Sequence, residues 1–337
     1  MIQNLSKIES FFRQVNPRVI AGNTPEKPLV SVAVQTYQHA YFIQDCLEGI
    51  LRQKTNFDFE ILIGEDESTD GTREICIEYA ERYPDKIRLI LHDSEALSPD
   101  IKLSPLQINA FYNLFSAKGK YIAFCEGDDY WTDPFKLQKQ VDFLEANQQY
   151  IIVSGGFISM SPYGHQRHIE KSDHPDGFSF NLQDQSKRWL TKTLTCMFRN
   201  KPSVFVELLN YKYGRDVHLF FHLLMHGDGY YMKEVFGVQV RHSGGIFSLK
   251  ADWENLLTHY EVYKEIYFNT KREEIRSKFV QTLFRYINLK IKQPELLEGI
   301  PDKPIFRDAL KSLRKKGEII LFLKLIYIYR FRNNKSK

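Results

Sequence analysis

The run from Tyr121 to Trp131, Tyr-Ile-Ala-Phe-Cys-Glu-Gly-Asp-Asp-Tyr-Trp, constrains this 337-residue chain more than any other stretch. Its first half is apolar and β-favouring, the pattern of a strand buried on both faces. The strand breaks at Gly127 into three carboxylates, Glu126, Asp128 and Asp129. Carboxylates crowded at a strand end repel one another, and burying them is costly unless positive charge compensates. A hard divalent cation does so, because Mg2+ and Mn2+ take oxygen ligands and share them with phosphates. An acidic turn capping the helix after Pro134 is the other reading of the same residues.

The chain leading to this run alternates strands and helices. Residues 5–15 have apolar side chains at helical spacing and end at Asn16-Pro17, and 22–28 read as a linker. Strands are expected at 30–34, 59–64 and 86–91, with helices at 41–54, 75–83 and 105–117. Such alternation predicts an α/β fold with a parallel, doubly wound sheet, whose ligands bind beyond the carboxyl ends of the strands. The loops at 35–39, 65–70 and 126–129 all reach that edge, and two of them are acidic. No Gly-x-Gly-x-x-Gly follows the first strand and no Gly-Lys-Ser/Thr loop occurs, which argues against a dinucleotide dehydrogenase and a P-loop kinase.

Three segments now stand in order: Val30-Ser-Val-Ala-Val-Gln-Thr-Tyr37, Ile63-Gly-Glu-Asp-Glu-Ser-Thr-Asp-Gly-Thr72 and Gly119-Lys-Tyr-Ile-Ala-Phe-Cys-Glu-Gly-Asp-Asp-Tyr-Trp131. Together they resemble family 2 glycosyltransferases, a resemblance that extends over residues 28–250. It implies a GT-A fold, Rossmann-like and mostly parallel with flanking helices. The nucleotide-sugar-binding half would lie at 28–133 and the acceptor half at 134–250. It further implies that Thr36 and Tyr37 contact the nucleotide base. Asp66 would accept a hydrogen bond from the imide N–H of uracil, as an ionised carboxylate can. Helix capping is the alternative for Asp66 and Asp70, and the favoured role for Asp70.

Glu126-Gly-Asp128 matches the family's Asp-x-Asp motif with Glu in the first position. The resemblance makes Asp128 the ligand of a divalent cation, Mn2+ or Mg2+, that bridges the donor's two phosphates and stabilises the departing diphosphate. Glu126 would face the ribose or donor sugar, and Asp129 is a further candidate ligand. Asp216, in Gly214-Arg-Asp at the start of a helix, matches the general base of an inverting displacement. A plain first-turn acid is the compatible alternative. Val238 to Gly245 resembles the family's closing His-x-Gly-Gly strand, which makes His242 a candidate for the diphosphate or the metal. The family's arginine usually stands two residues before this histidine, whereas Arg241 is adjacent to it.

Residues 155–190 carry little periodicity and read as an irregular loop over the site, with a strand returning at 192–200. His218, His222 and His226 share a helix face, a spacing that can ligate zinc, but no Cys or acidic partner completes a set. Beyond 250 the resemblance fades into helices at 253–268, 273–292 and 305–316, then an apolar run at 317–331. That run is short of the roughly 20 residues a membrane span needs. Residues 271–337 hold 18 Lys/Arg against 7 Asp/Glu, while the remainder holds 28 against 35. A basic, apolar tail suits peripheral contact of 317–337 with an anionic membrane, packing on the core being the alternative. No nucleic-acid recognition motif accompanies the charge.

The four cysteines show no metal spacing and the N-terminus no signal peptide, so a cytoplasmic protein is expected, peripheral on the inner membrane face. Three parts follow: an N-terminal helix and linker (1–27), a glycosyltransferase domain (28–250) and a helical basic extension (251–337). The expected activity is inverting hexosyl or hexosaminyl transfer from a nucleotide-diphosphate donor, UDP foremost, to a surface glycan or lipid-linked acceptor. A nucleotidyltransferase of related fold would want a Gly-rich basic loop at 35–39, which has neither property. An inactive glycan-binding relative would have lost Asp66, Asp128 or Asp216, and all three are present.

Overall fold

The computed structural model describes residues 2–93, 95, 97–101, 103–169, 176–244, 251–297 and 302–333. Two units, Met1–Gly244 and Gly245–Lys337, are each internally packed. In the first, helix α1 (Ile2–Val15) and strand β1 (Arg18–Ala21) precede the apolar runs. There follow β2 (Val30–Thr36), α2 (Ile43–Leu51), β3 (Phe59–Glu65), α3 (Thr72–Arg82), β4 (Ile87–Leu91), α4 (Pro105–Ser116) and β5 (Tyr121–Phe124). Strands β4, β3, β2 and β5 lie side by side and parallel. β3 and β5 are buried throughout and β2 almost so, the burial that their unbroken apolar runs predict. Strand β1 closes the far edge antiparallel to β4, a pairing nothing in residues 18–21 announced.

The later half of this unit comprises β6 (Tyr130–Trp131), α5 (Lys136–Ala146), β7 (Tyr150–Met160), β8 (Gln166–Ile169), β9 (Phe178–Phe180) and α6 (Leu182–Lys187). A 3₁₀ turn (Thr193–Thr195), β10 (Met197–Arg199), α7 (Pro202–Leu208), α8 (Asp216–Leu224) and β11 (Asp228–Val240) complete it. The sheet order is β1-β4-β3-β2-β5-β10-β7-β11-β6, with β8 on β7 and β9 on β11. The four strands of the nucleotide half are parallel as expected, and the antiparallel members lie beyond them. β10 is antiparallel to both β5 and β7, so only the nucleotide half is parallel throughout and the whole sheet is mixed. A three-residue strand carries no mark of its direction, which is why the sequence could not announce this.

The irregular loop expected at 155–190 is largely ordered. β7 runs on to Met160, turns, and returns as β8. α6 is capped by Asn181, which accepts from the N–H groups of Gln183 and Asp184. Gly155 serves close packing, since a Cβ there would lie 2.5 Å from the Phe236 ring. Residues 170–175 lie outside the described residues.

Side-chain amides fasten α4 to the strand ends that carry the site. Asn109 Nδ2 donates to Gly64 O (2.9 Å) and Asn113 Nδ2 to Val34 O (3.0 Å). Buried Trp131 donates from Nε1 to Leu194 O (2.8 Å), which fixes the residues after the acidic turn. Beneath it lies Lys136, fully buried, with Nζ 4.1 Å from the Trp131 ring centroid and donating to Gln140 Oε1 at 2.8 Å.

In the second unit α9 (Asp252–Thr270), α10 (Glu273–Lys292), α11 (Asp302–Ser312) and α12 (Lys316–Asn333) pack as a helical group. Buried Arg276 of α10 makes a two-pronged pair with Glu318 of α12 (2.9 and 3.1 Å) and also donates to Ser312 O. Phe322 is buried, whereas Ile319, Ile320, Leu321, Leu323 and Tyr327 of α12 are exposed. Among the described residues no helix is long and apolar enough to cross a membrane.

Burial pushes the Lys136 amine from its ordinary 10.5 down to about 7, against the attraction of Cys125, Cys196 and Asp133. The unfolded chain therefore binds more protons between those two values, so stability rises with pH across that window and is level below it, where both states hold the proton. Lys136→Met is expected to raise the unfolding free energy at pH 7 by at least about 1 kcal/mol. It should also flatten the rise toward pH 10, as followed by urea denaturation at several pH values.

Candidate functional site

The loops that leave β2 and β3 are stapled together by their own backbone. The N–H groups of Gln38, His39 and Ala40 donate in turn to Ser68 Oγ (2.9 Å), Thr72 Oγ1 (2.7 Å) and Asp70 Oδ2 (3.0 Å). Asp70 Oδ1 accepts from the Thr72 N–H and hydroxyl, so this residue satisfies the first N–H of α3, whose N-cap is Gly71, and also ties the two loops. Glu65 is buried. It pairs with the Arg73 guanidinium and accepts from the Ser68 N–H, bracing the loop from below.

Asp66 is half-buried and its N–H donates to Thr36 O at 3.1 Å. Burial first, then the neighbouring charges of Glu65 and Glu67, push its carboxyl up to about 6 against the pull of Arg73. Thr36 is buried with its hydroxyl 3.2 Å from His39 Nδ1, while Tyr37 is exposed beside it.

The acidic turn after β5 settles onto the β2 loop. Gly127 N–H donates to Gln35 O (2.9 Å), and a Cβ at Gly127 would lie 2.6 Å from Thr36 Oγ1 and 2.9 Å from His39 Nδ1. Only a residue without a side chain lets the turn come this close. Asp128 Oδ2 consequently stands 3.1 Å from His242 Nε2 and 3.9 Å from His39 Nε2. His242 lies on the ring of Phe42, centroids 4.5 Å apart. The ligating atoms of His39, Asp128 and His242 all fall within 4.8 Å of one another, a group able to hold a metal ion.

Asp129 faces the other way. It is buried and accepts the Val240 N–H on Oδ1 (3.0 Å), which anchors the end of β11 beside the turn. It is not part of the three-residue group. Glu126 buries an Oε2 that has no hydrogen-bond partner. Burial raises its pKa, opposed by Lys192 and a Thr193 hydrogen bond and reinforced by Asp128 and Asp216. Burial likewise penalises the ammonium of Lys192. The carboxylates of Asp129, Glu126, Asp216 and Asp128 outweigh that penalty and raise its pKa. Asp216, the first residue of α8, thus belongs to the same electrostatic cluster as the turn after β5.

The histidines of α8 have other work. His218 Nδ1 accepts the Arg215 N–H (3.1 Å), and His222 Nε2 meets the Tyr211 hydroxyl at 2.6 Å. Burial, with His218 and His226 nearby, lowers the pKa of His222 to about 4. These three form no ligating group among the described residues. Arg241 is exposed, its N–H donating to Met160 O.

Two residues of the cluster escaped the sequence reading. His39 lay in a loop already assigned to this edge, and Lys192 is the one charge in the Thr-rich run Leu190 to Met197. Both become meaningful only once the acidic turn is packed against them.

Residues 31–98 match the family model for glycosyl transferase family 2. The chain carries a family 2 glycosyltransferase domain. An uncharacterized protein of Mycobacterium tuberculosis is 38% identical over 122 residues, 36% of this chain and 32% of that one. The chain therefore spans about a third of that relative's length. A Bacillus subtilis protein named for a glycosyltransferase of teichuronic acid biosynthesis, TuaG, is 27% identical over 71% of this chain and 89% of its own. Staphylococcus aureus TarS 1–349, solved in complex with UDP-GlcNAc, superposes with a TM-score of 0.58 at 16% identity, covering 84% of this chain and 81% of that one. That likeness is one of fold: the glycosyltransferase domain has the GT-A architecture, a mixed sheet flanked by helices.

Gly127→Ala drives a methyl into Thr36 and His39. It is expected to cost about 1–3 kcal/mol of stability in denaturant titrations, and to shift the His39 ring resonances as the turn lifts away.

Proposed function

We propose that this chain is an inverting, cation-assisted glycosyltransferase. It would move a hexosyl or hexosaminyl group from a nucleoside diphosphate, UDP foremost, to a hydroxyl of a growing surface glycan. The observation that carries the reading is the acidic turn of Glu126 and Asp128 seated on the β2 loop through Gly127 N–H and Gln35 O, with His242 against Asp128 and the Asp66 loop tied to Thr36 O. The TarS complex with UDP-GlcNAc and the teichuronic acid name of TuaG support the donor and the glycan.

Each side chain has a task the chemistry needs. Ionised Asp66 accepts the uracil imide N–H, and exposed Tyr37 offers its ring to the base. Asp128 with His242 holds the divalent cation, which supplies charge stabilisation for the leaving diphosphate. The unpartnered Oε2 of Glu126 accepts a hydroxyl of the ribose or donor sugar. Asp216 takes the proton of the acceptor hydroxyl as its oxygen bonds to the anomeric carbon. The carbon–oxygen bond to the diphosphate breaks on the opposite face, so configuration inverts. Lys192 lets these carboxylates coexist.

A lipid-linked acceptor agrees with α12, where exposed Ile319, Ile320, Leu321, Leu323 and Tyr327 neighbour exposed Arg314, Lys315, Lys316 and Lys324. That pattern fits an anionic membrane surface.

Asp216→Asn is expected to slow UDP release from the accepted UDP-sugar by about 10²–10⁴-fold while calorimetric UDP affinity stays unchanged. Lost UDP binding in this variant would show that Asp216 serves the donor and not the acceptor. The intact chain should also sediment with phosphatidylglycerol vesicles, and Leu323→Asp should weaken this roughly tenfold. An intact chain left in the supernatant would overturn the membrane contact.

A further inference from the structure

His39 has more built around it than a loop residue needs. Its backbone N–H is held by Thr72 Oγ1, and its two neighbours are held by Ser68 and Asp70. Its Nδ1 is engaged with Thr36 Oγ1 (3.2 Å). When Nδ1–H donates to that hydroxyl, Nε2 presents its lone pair, and Nε2 is the nitrogen 3.9 Å from Asp128 Oδ2. A hydrogen-bonded second nitrogen is the usual way a protein orients a ligating imidazole. The His39 and His242 rings stand nearly perpendicular, 87° apart with centroids at 5.9 Å, both reaching the same carboxylate oxygen.

We infer that His39 is a third protein ligand, so that His39, Asp128 and His242 form a cation site assembled before the nucleotide arrives. This rests on the reading of Asp128 as the cation's carboxylate. Two imidazoles and one carboxylate suit first-row transition dications, whereas Mg2+ prefers oxygen ligands and surrenders its waters reluctantly. The site therefore takes Mn2+, and more tightly Co2+ or Zn2+, ahead of Mg2+. Three protein ligands leave coordination positions for diphosphate oxygens. The donor then meets a cation already in place and need not deliver one.

The test is titration of Mn2+ into the full chain without nucleotide, reading free Mn2+ by electron paramagnetic resonance. One Mn2+ per chain should bind and resist a roughly tenfold excess of Mg2+. His39→Ala should weaken binding at least about tenfold, and Thr36→Val, which keeps His39 but frees its Nδ1, should weaken it less. Circular dichroism of both variants distinguishes lost ligation from lost folding. Should His39→Ala not fold, the Thr36→Val result decides.

Mn2+ that binds only with UDP, or equally well to folded His39→Ala, or that Mg2+ displaces at equal concentration, would overturn the inference. UDP titrated into the Mn2+-loaded chain separates this from the catalytic reading. UDP binding with no prior Mn2+ site would leave the transferase standing and sink the three-ligand site. A Mn2+ site with no affinity for UDP would do the reverse.

Discussion

Lys192 is the charge on which the candidate site depends. The charges of Asp129, Glu126, Asp216 and Asp128 all act on it, and the buried Asp129 would be costly if it stood alone. Opposite charges make the desolvation of the buried Asp129 and the half-buried Glu126 tolerable, so removing Lys192 leaves the acidic turn uncompensated. The same attraction reaches from the turn after β5 to Asp216, exposed at the first turn of α8.

The donor side is built differently, by close backbone approach. Gly127 lets the acidic turn lie on Thr36 and His39, and the β2 loop is pinned to the β3 loop by Ser68, Asp70 and Thr72. α4 holds the same two strand ends from behind through Asn109 and Asn113. Asp129 does for β11 what Gly127 does for the β2 loop, since its bond to the Val240 N–H brings His242 over Asp128. Asp129, a candidate ligand in the sequence, thus holds the strand end that leads to His242. Each contact places a side chain at a strand's carboxyl end, where an open sheet of this kind binds ligands.

The parallel strands were legible because continuous apolar runs such as Val30 to Val34 suit a strand covered on both faces. Helix α10 was legible because its apolar spacing and its ends need no partner to define them. The acidic turn was legible because three carboxylates in four residues have few uses. What stayed hidden shares one cause. Strands β1, β8, β9 and β10 are too short for periodicity, and they exist only because a neighbouring edge supplies hydrogen bonds. Gly155 read as loop composition although its absent side chain makes room for Phe236 across the sheet.

The sequence by itself determined the chemistry available: the order of strands in the nucleotide half, and the identity of Asp66, Glu126, Asp128, Asp216 and His242 as residues worth placing. The strands follow from local pattern, Glu126 and Asp128 from the energetic oddity of clustered charge, and Asp66, Asp216 and His242 from the resemblance to family 2 glycosyltransferases. The tertiary structure alone decided which groups meet. It turned Asp129 inward, brought His39 beside Asp128, set Lys192 among the carboxylates, and gave α8's histidines to Arg215 and Tyr211. Such meetings depend on distances between elements far apart in the chain, and packing, not local pattern, sets those distances.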